Sequence, residues 1–224
     1  MFYRESLRAD AVKVNEAMTR VYNMMAMAVL NSMIVSYFVS TSPALMAFLF
    51  TGVMKWIVVL SPLAAIFAIS YFMPRANRSQ AYLMLHGFAA LMGVSFATIF
   101  VVYTSLSIVQ AFLGAVCLFL TMSLYGYTTK RDLTSIGQFL FVGLIAIILV
   151  SIINLFIGSS LVSMVVSALA VLIFLGLTAY DTQKIREMVA YDRTGHAEVS
   201  GALTLYLDFI NLFLNLLQLF GNRK

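Results

Sequence analysis

Apolar residues run through this chain in seven long blocks separated by short polar breaks. A helix crossing the hydrocarbon core of a bilayer needs about 20 mostly apolar residues. Blocks of that kind lie near Tyr22–Ser40, Gly52–Met73, Gln80–Tyr103, Ser107–Tyr127, Ser135–Ile157, Ser160–Tyr180 and Ala202–Phe220. Thr41-Ser42-Pro43 closes the first, Pro74 to Arg78 the second, Thr128 to Asp132 the fourth and Gly158-Ser159 the fifth. The charged stretch from Asp181 to Glu198 is expected to close the sixth. The break at Thr104–Leu106 is short and uncharged, and without it the count would fall to six. Ala44–Met73 exceeds one crossing, so its first residues are expected in the outer interface or the helix is tilted. The pattern predicts an all-α membrane domain of seven transmembrane helices over residues 22–221, after a cytoplasmic N-terminal segment, 1–21. No domain boundary or repeat is evident inside the membrane part.

Composition narrows the class. Hydrophobic residues make up 62% of the 224 and charged residues only 10%, with a mean hydropathy of +0.97. Soluble domains are about half apolar and a quarter charged, so this chain has too little polar surface to cover a soluble core. The single Cys117 excludes an internal disulfide framework. A pI near 9.4 would suit a nucleic-acid binder only with a basic face, and here the cations are scattered between apolar runs. No nucleic-acid partner is expected; the partner is the lipid bilayer.

The cations report topology instead. With the N-terminus inside, the inner segments carry Arg4, Arg8, Lys13, Arg20, Arg75, Arg78, Lys130, Arg131, Lys184, Arg186 and Arg193, which is 11 of the 14. Lys55, Arg223 and Lys224 fall outside. The first residues mix both charge signs and lack the short apolar core of a signal peptide. The expected arrangement is a multi-pass inner-membrane protein with a cytoplasmic N-terminus and an outside C-terminus.

Polar residues inside lipid are costly, so their placement is the main functional clue. The seventh block carries Thr204, Asp208, Asn211, Asn215 and Gln218, at steps of four, three, four and three. At about 100° per residue they fall within an arc of roughly 80°, one stripe along the helix. Such a helix should be enclosed by the others and line a water-filled path or an interhelical hydrogen-bond seam. The sixth block repeats the pattern more weakly with Ser160, Ser163, Ser167, Thr178 and Asp181. Consecutive antiparallel helices bring Asp181 and Asp208 towards each other. Asp208 is expected about 9 Å inside its span and Asp181 at the end of its own, so contact requires tilt or a water.

Asn, Ser and Thr also hold membrane helices together without transporting anything. Asp208, in mid-span with no Lys or Arg on its helix, is by default functional, whereas Asp181 could be solvated beside Lys184. His86 lies at about the depth of the aspartates, as a tuning group or as a packed histidine. Gly87, Gly93, Gly114, Gly137 and Gly143 mark close helix packing. Ala at Asn211 or Asn215 should alter ion flux or destabilise the bundle more than Ala at Phe209 or Leu212, whose neighbours can repack.

The runs Leu177–Ile185 (LTAYDTQKI), Ser123–Leu133 (SLYGYTTKRDL) and Gly201–Leu217 (GALTLYLDFINLFLNLL) resemble the Bax inhibitor motif family of membrane proteins, closest to its bacterial inner-membrane members. The resemblance runs from about Tyr22 to the end and is strongest over the last two spans. It implies six helices around a central seventh, a pH-sensitive aspartate pair and a slow calcium leak. On matching positions the pair is Asp181 and Asp208. One departure stands out. The family pattern includes a basic residue in the second span that latches the aspartate of the sixth, yet nothing between Trp56 and Met73 is charged. Either Arg75 or Arg78 reaches back as the latch, or the two acids share a proton alone, because close carboxylates in low dielectric cannot both ionise cheaply.

Calcium prefers six to eight oxygen ligands, and the stripes scatter two carboxylates, Asp181 and Asp208, with amide and hydroxyl oxygens along a path. That suits weak successive contacts in transit rather than a tight metal site. Transit of protons or another cation would look the same. No cofactor is expected. Two aspartates on adjacent spans also describe an intramembrane aspartyl protease. Tyr180-Asp181 matches half of that signature, but Leu205-Tyr206-Leu207 replaces the Gly-rich approach to the second acid. A rhomboid-like serine enzyme is disfavoured because no Gly-x-Ser-x-Gly occurs. The chain is therefore not expected to be an enzyme. The alternative is a non-transporting interaction protein that modulates a membrane protease or a stress response, docking through Arg4–Arg20 or Asp181–Glu198.

Overall fold

The computed structural model describes residues 2–192 and 194–224, with side chains from residue 12 onward. Arg193 and the side chains of Arg4 and Arg8, which enter the charge count, lie outside the described residues. The elements are α1 (Phe2–Ser40), α2 (Pro43–Phe50), α3 (Met54–Phe72) with a 3-10 turn at Met73–Arg75, α4 (Arg78–Val102) and α5 (Ser105–Thr128). They continue with α6 (Thr134–Ile157), α7 (Ser160–Tyr191) and α8 (His196–Phe220). Among the described residues, seven helices are long and apolar enough to cross a membrane. This is an all-α membrane protein.

Each break has a local cause. Ser42 caps α2, and Asn77 with Gln80 forms a reciprocal capping box at the start of α4. Thr104 caps α5, so the uncharged break between the third and fourth spans is real. α6 stops at Gly158, whose φ of +71° is left-handed. The long second block divides as its excess length requires: α2 is a separate short helix with no buried residue, and α3 is the crossing. Pro62 lies inside α3 and has no N–H for the Val58 carbonyl one turn back. The hydroxyls of Ser61 and Ser95 donate to that oxygen instead, each at 3.0 Å.

Three boundaries differ from the sequence reading. α1 runs unbroken across residues 21 and 22 for 39 residues, so the helix of the first span starts well before Tyr22. α7 does not stop at Asp181. It is 32 residues long, because Thr182, Ile185 and Val189 continue its buried face while Lys184, Arg186 and Glu187 point outward. α8 begins at His196 rather than Ala202, with Val199 and Ala202 fully buried. Hydropathy loses a helix when charges enter it, but the 3.6-residue period of burial does not.

The chain packs as two units. One comprises Met1–Tyr103, Met188–Tyr206 and Lys224; the other comprises Thr104–Glu187 and Leu207–Arg223. In the first, α1 packs on α4, where Gly93 sits against the Ser32 backbone. The Lys224 N–H donates to the Val102 carbonyl at 2.9 Å. In the second, Phe112 and Phe119 pack edge-on against Phe209, with ring centroids 5.5 and 5.8 Å apart. α8 is the most enclosed of the seven spans: 56% of its apolar window is buried, against 33% or less in the others.

Candidate functional site

Both aspartates belong to the second unit. Two glycines set the position of Asp181. Gly126 on α5 approaches Ala179 so closely that a Cβ there would strike the Ala179 carbonyl oxygen, and a Cβ at Gly137 on α6 would lie 2.5 Å from the Tyr180 ring. Small residues let helix backbones meet in this way. Hydrogen bonds then fix the register. Ser123 and Thr182 pair at 3.0 Å, with both side chains buried. Gln183 accepts from the Leu133 N–H at 2.9 Å and donates to the Arg131 carbonyl at 2.8 Å. Arg186 donates to the Tyr127 carbonyl at 2.8 Å and lies over the Tyr127 ring. The loop between α5 and α6 is thereby clasped to α7 just beyond Asp181.

Asp208 projects from α8 more than three turns after His196, about 18 Å along the axis, not the 9 Å expected from a later start. It is 4% exposed. Its carboxyl group lies within interaction range of that of Asp181. Two carboxyl groups at such range interact favourably when they share one proton. Asp208 Oδ2 is buried without a hydrogen-bond partner. Asp181 is half-buried, and the charge of Lys184 acts on it from the next turn of α7.

The stripe on α8 changes exposure along its length. Gln218 is exposed, Asn215 and Asn211 are half-buried, and Asp208 is buried. Asn211 donates its amide to the Leu207 carbonyl and Asn215 to the Asn211 carbonyl, each at 2.8 Å. These amides do not build an interhelical seam; they fold back on their own helix and leave the Oδ1 atoms as unused acceptors. Thr204, in the part of α8 belonging to the first unit, bonds back to Ser200. The apolar positions of α8 are the more deeply enclosed, with Phe209 and Leu212 buried. The expectation that Ala at Phe209 or Leu212 would be mild for stability is therefore reversed.

On α7, Ser163 accepts from the Asn154 amide at 2.8 Å and serves the turn that ends α6. Ser167 and Thr178 are buried, Thr178 donating to the Phe174 carbonyl. The remaining candidates lie in the first unit. Arg75 donates to the Tyr71 carbonyl and stacks 4.4 Å over the Tyr71 ring. Arg78 pairs with Glu198 at 2.6 Å. Both arginines offered as a latch are thus engaged within their own unit. His86 packs at a tilt against Tyr82, and its Nε2 is buried without a partner. Among the glycines expected at close contacts, Gly93 and Gly137 are there and Gly87 faces open space.

Sequence reasoning missed Glu198, Ser123, Thr182 and Gln183. The charged stretch holding Glu198 reads as a loop, and nothing in its spacing names Arg20 and Arg78 as its partners. Gly126 lay inside the run Ser123–Leu133, where its place beside a polar Ser-x-x-Gly step was the available signal.

Residues 14–224 match the family model described as "Inhibitor of apoptosis-promoting Bax1". The chain belongs to the Bax inhibitor family. Over 214 residues it is 39% identical to "Inner membrane protein YbhL" of Escherichia coli strain K12, covering 92% of each chain. A protein of Borreliella burgdorferi is 38% identical over 216 residues, covering 94% of this chain and 93% of its own. One from Deinococcus radiodurans is 33% identical over 216 residues, covering 95% and 92%. Family membership spans both aspartates of this Bax inhibitor family member and the three runs that first suggested it.

Proposed function

We propose that the chain is a pH-responsive calcium leak of the bacterial inner membrane, with the Asp181–Asp208 pair as its gate. The observation that carries this reading is the pairing of two carboxyl groups on α7 and α8, one of them buried with an oxygen that has no hydrogen-bond partner. A proton shared between two acids is a switch: its loss puts two like charges in contact at low dielectric, and α7 and α8 must separate or recruit a cation. The decreasing exposure from Gln218 to Asp208 supplies a graded approach. The Oδ1 atoms of Asn211 and Asn215 supply neutral oxygens along it, of the kind calcium accepts. Among the described residues no cluster of three or more acidic, His or Cys side chains could hold a metal, which suits weak successive contacts with a passing ion. The ion is cargo, and the pair is read as a gate rather than a pair of catalytic acids. The cation distribution orients the N-terminus to the cytoplasm. The inner membrane is the location in the printed name of the Escherichia coli relative.

The test is calcium flux into liposomes holding the purified protein, measured against pH. Flux should vary with pH in wild type and lose most of that dependence in Asp181→Asn and in Asp208→Asn. The double variant should add little to either single change, because the pair titrates as one unit. Two single variants that each keep the full wild-type pH profile would remove the pair as sensor. No ion movement by folded wild-type protein would remove the leak itself.

A further inference from the structure

A second polar cluster lies in the first unit, whereas both aspartates belong to the second, and it is independent of any flux. Glu198, in the first turn of α8, is buried, and its carboxylate holds two guanidinium groups. Arg20 donates Nε and Nη2 to Oε1 at 2.9 and 2.7 Å, and Arg78 donates Nη2 to Oε2 at 2.6 Å. A bridge tying α1, α4 and α8 would serve stability alone if both cations were covered. They are not: the two arginine side chains are 47% and 54% exposed.

Both line a cavity of about 420 Å³ with Asn23, Met24, Ser79, Tyr82 and Val199. That is within the size range of small-ligand sites. Three features describe what it would hold. One carboxylate holds two guanidinium groups, so the three bonded groups keep one positive charge, with Glu16 acting on Arg20 from one turn back on α1. Each guanidinium has more N–H donors than Glu198 takes, and the fork geometry fits phosphate oxygens. Glu198 fixes both forks in advance, which lowers the ordering cost of binding.

Depth identifies the source of the phosphate. Arg78 and Ser79 open α4, and Val199 is in the first turn of α8, where the spans begin. The cavity therefore sits at headgroup level, and the exposed Tyr82 is an aromatic of the interfacial kind. Met24 and Tyr82 offer the apolar wall that a glycerol and the start of an acyl chain need. Basic pockets between membrane helices recognise anionic headgroups in this way. We propose that this cavity binds the phosphate of an anionic phospholipid headgroup through Arg20 and Arg78, with Glu198 as their positioning residue.

The test is native mass spectrometry of the delipidated full chain with added phosphatidylglycerol. One lipid should be retained on wild type. Its affinity should fall about tenfold or more in Arg78→Gln, the scale of one charge-assisted hydrogen bond. Asn23→Trp should give a similar fall by filling the cavity while leaving all three bonds to Glu198 intact. Circular dichroism and monodispersity confirm the fold of each variant, so a failed Arg78→Gln leaves Asn23→Trp to decide. Equal retention by wild type and folded Asn23→Trp would overturn the proposal. So would equal retention of phosphatidylcholine, or displacement of the lipid by millimolar inorganic phosphate, which would mark a site for a soluble phosphate.

Discussion

Gly126 touches Ala179 at a point where α5 has no room for a side chain, two residues before Asp181. The contact is backbone against backbone, so neither helix can yield by changing a rotamer. The site that holds the acid pair is built on this approach, and the hydrogen bonds around Thr182 and Gln183 fix its register.

Gly126→Ala should destabilise the protein by about 1–3 kcal/mol, the range for overpacking a tight core. Gly87→Ala, whose new methyl would meet nothing within 4 Å, should be neutral or slightly stabilising through helix propensity. Thermal unfolding in one detergent compares the two. A Gly126→Ala midpoint equal to that of wild type would show that α5 can move away at no cost.

The stripe separates two readouts. Phe209→Ala opens a hole among Phe112 and Phe119 and should cost about 3–5 kcal/mol. Asn211→Ala removes only a bond to its own helix, about 1 kcal/mol, yet takes away an oxygen facing the path. Flux normalised to folded protein should therefore fall in Asn211→Ala and persist in whatever Phe209→Ala protein folds. The opposite ranking in flux would remove the stripe as a path.

The turn between α7 and α8 carries its own pH dependence. Burial alone would push the Asp192 carboxyl up, but bonds from the Thr194 hydroxyl and from the N–H groups of Thr194 and Ala197 hold it below the ordinary range. A depressed carboxyl contributes stability above its unfolded pKa and loses it as pH falls through the folded one. The turn should therefore be firm at neutral pH and loosen only below about pH 4. Asp192→Ala should cost about 1 kcal/mol at pH 7, as for a lost helix cap, and little in strong acid. Amide exchange at Thr194 and Ala197 against pH checks it; protection indifferent to both pH and substitution would contradict it.

Topology is decided by one helix. The loop at Pro74–Arg78 opens α4, and Lys224 is bonded to Val102 at its other end. The 25 residues of α4 span about 37 Å, more than the ~30 Å hydrocarbon core. Reporters inserted at the loop and fused after Lys224 should therefore face opposite sides of the membrane, the loop inside. The same side for both would break the seven-span arrangement.

The sequence alone determined the spans, the two aspartates and the family, because each is written in local terms. A bilayer forces about 20 apolar residues per crossing, a helix puts every third or fourth residue on one face, and a mid-span carboxylate is conspicuous against Leu and Phe. The ends of α7 and α8 were lost because charge on the exposed side of a continuing helix reads as a loop. What Glu198 binds was out of reach for a different reason. Arg20 and Arg78 lie 178 and 120 positions away from it, and no period links them. Only the packing of α1 and α4 against the start of α8 brings the two guanidinium groups to one buried carboxylate. Asp181 and Asp208 lie closer in the chain, but their contact was likewise decided by tertiary structure, through glycines that let α5 and α6 close on α7. Sequence chose the charged and small residues, and the lengths and approach of the helices chose their partners.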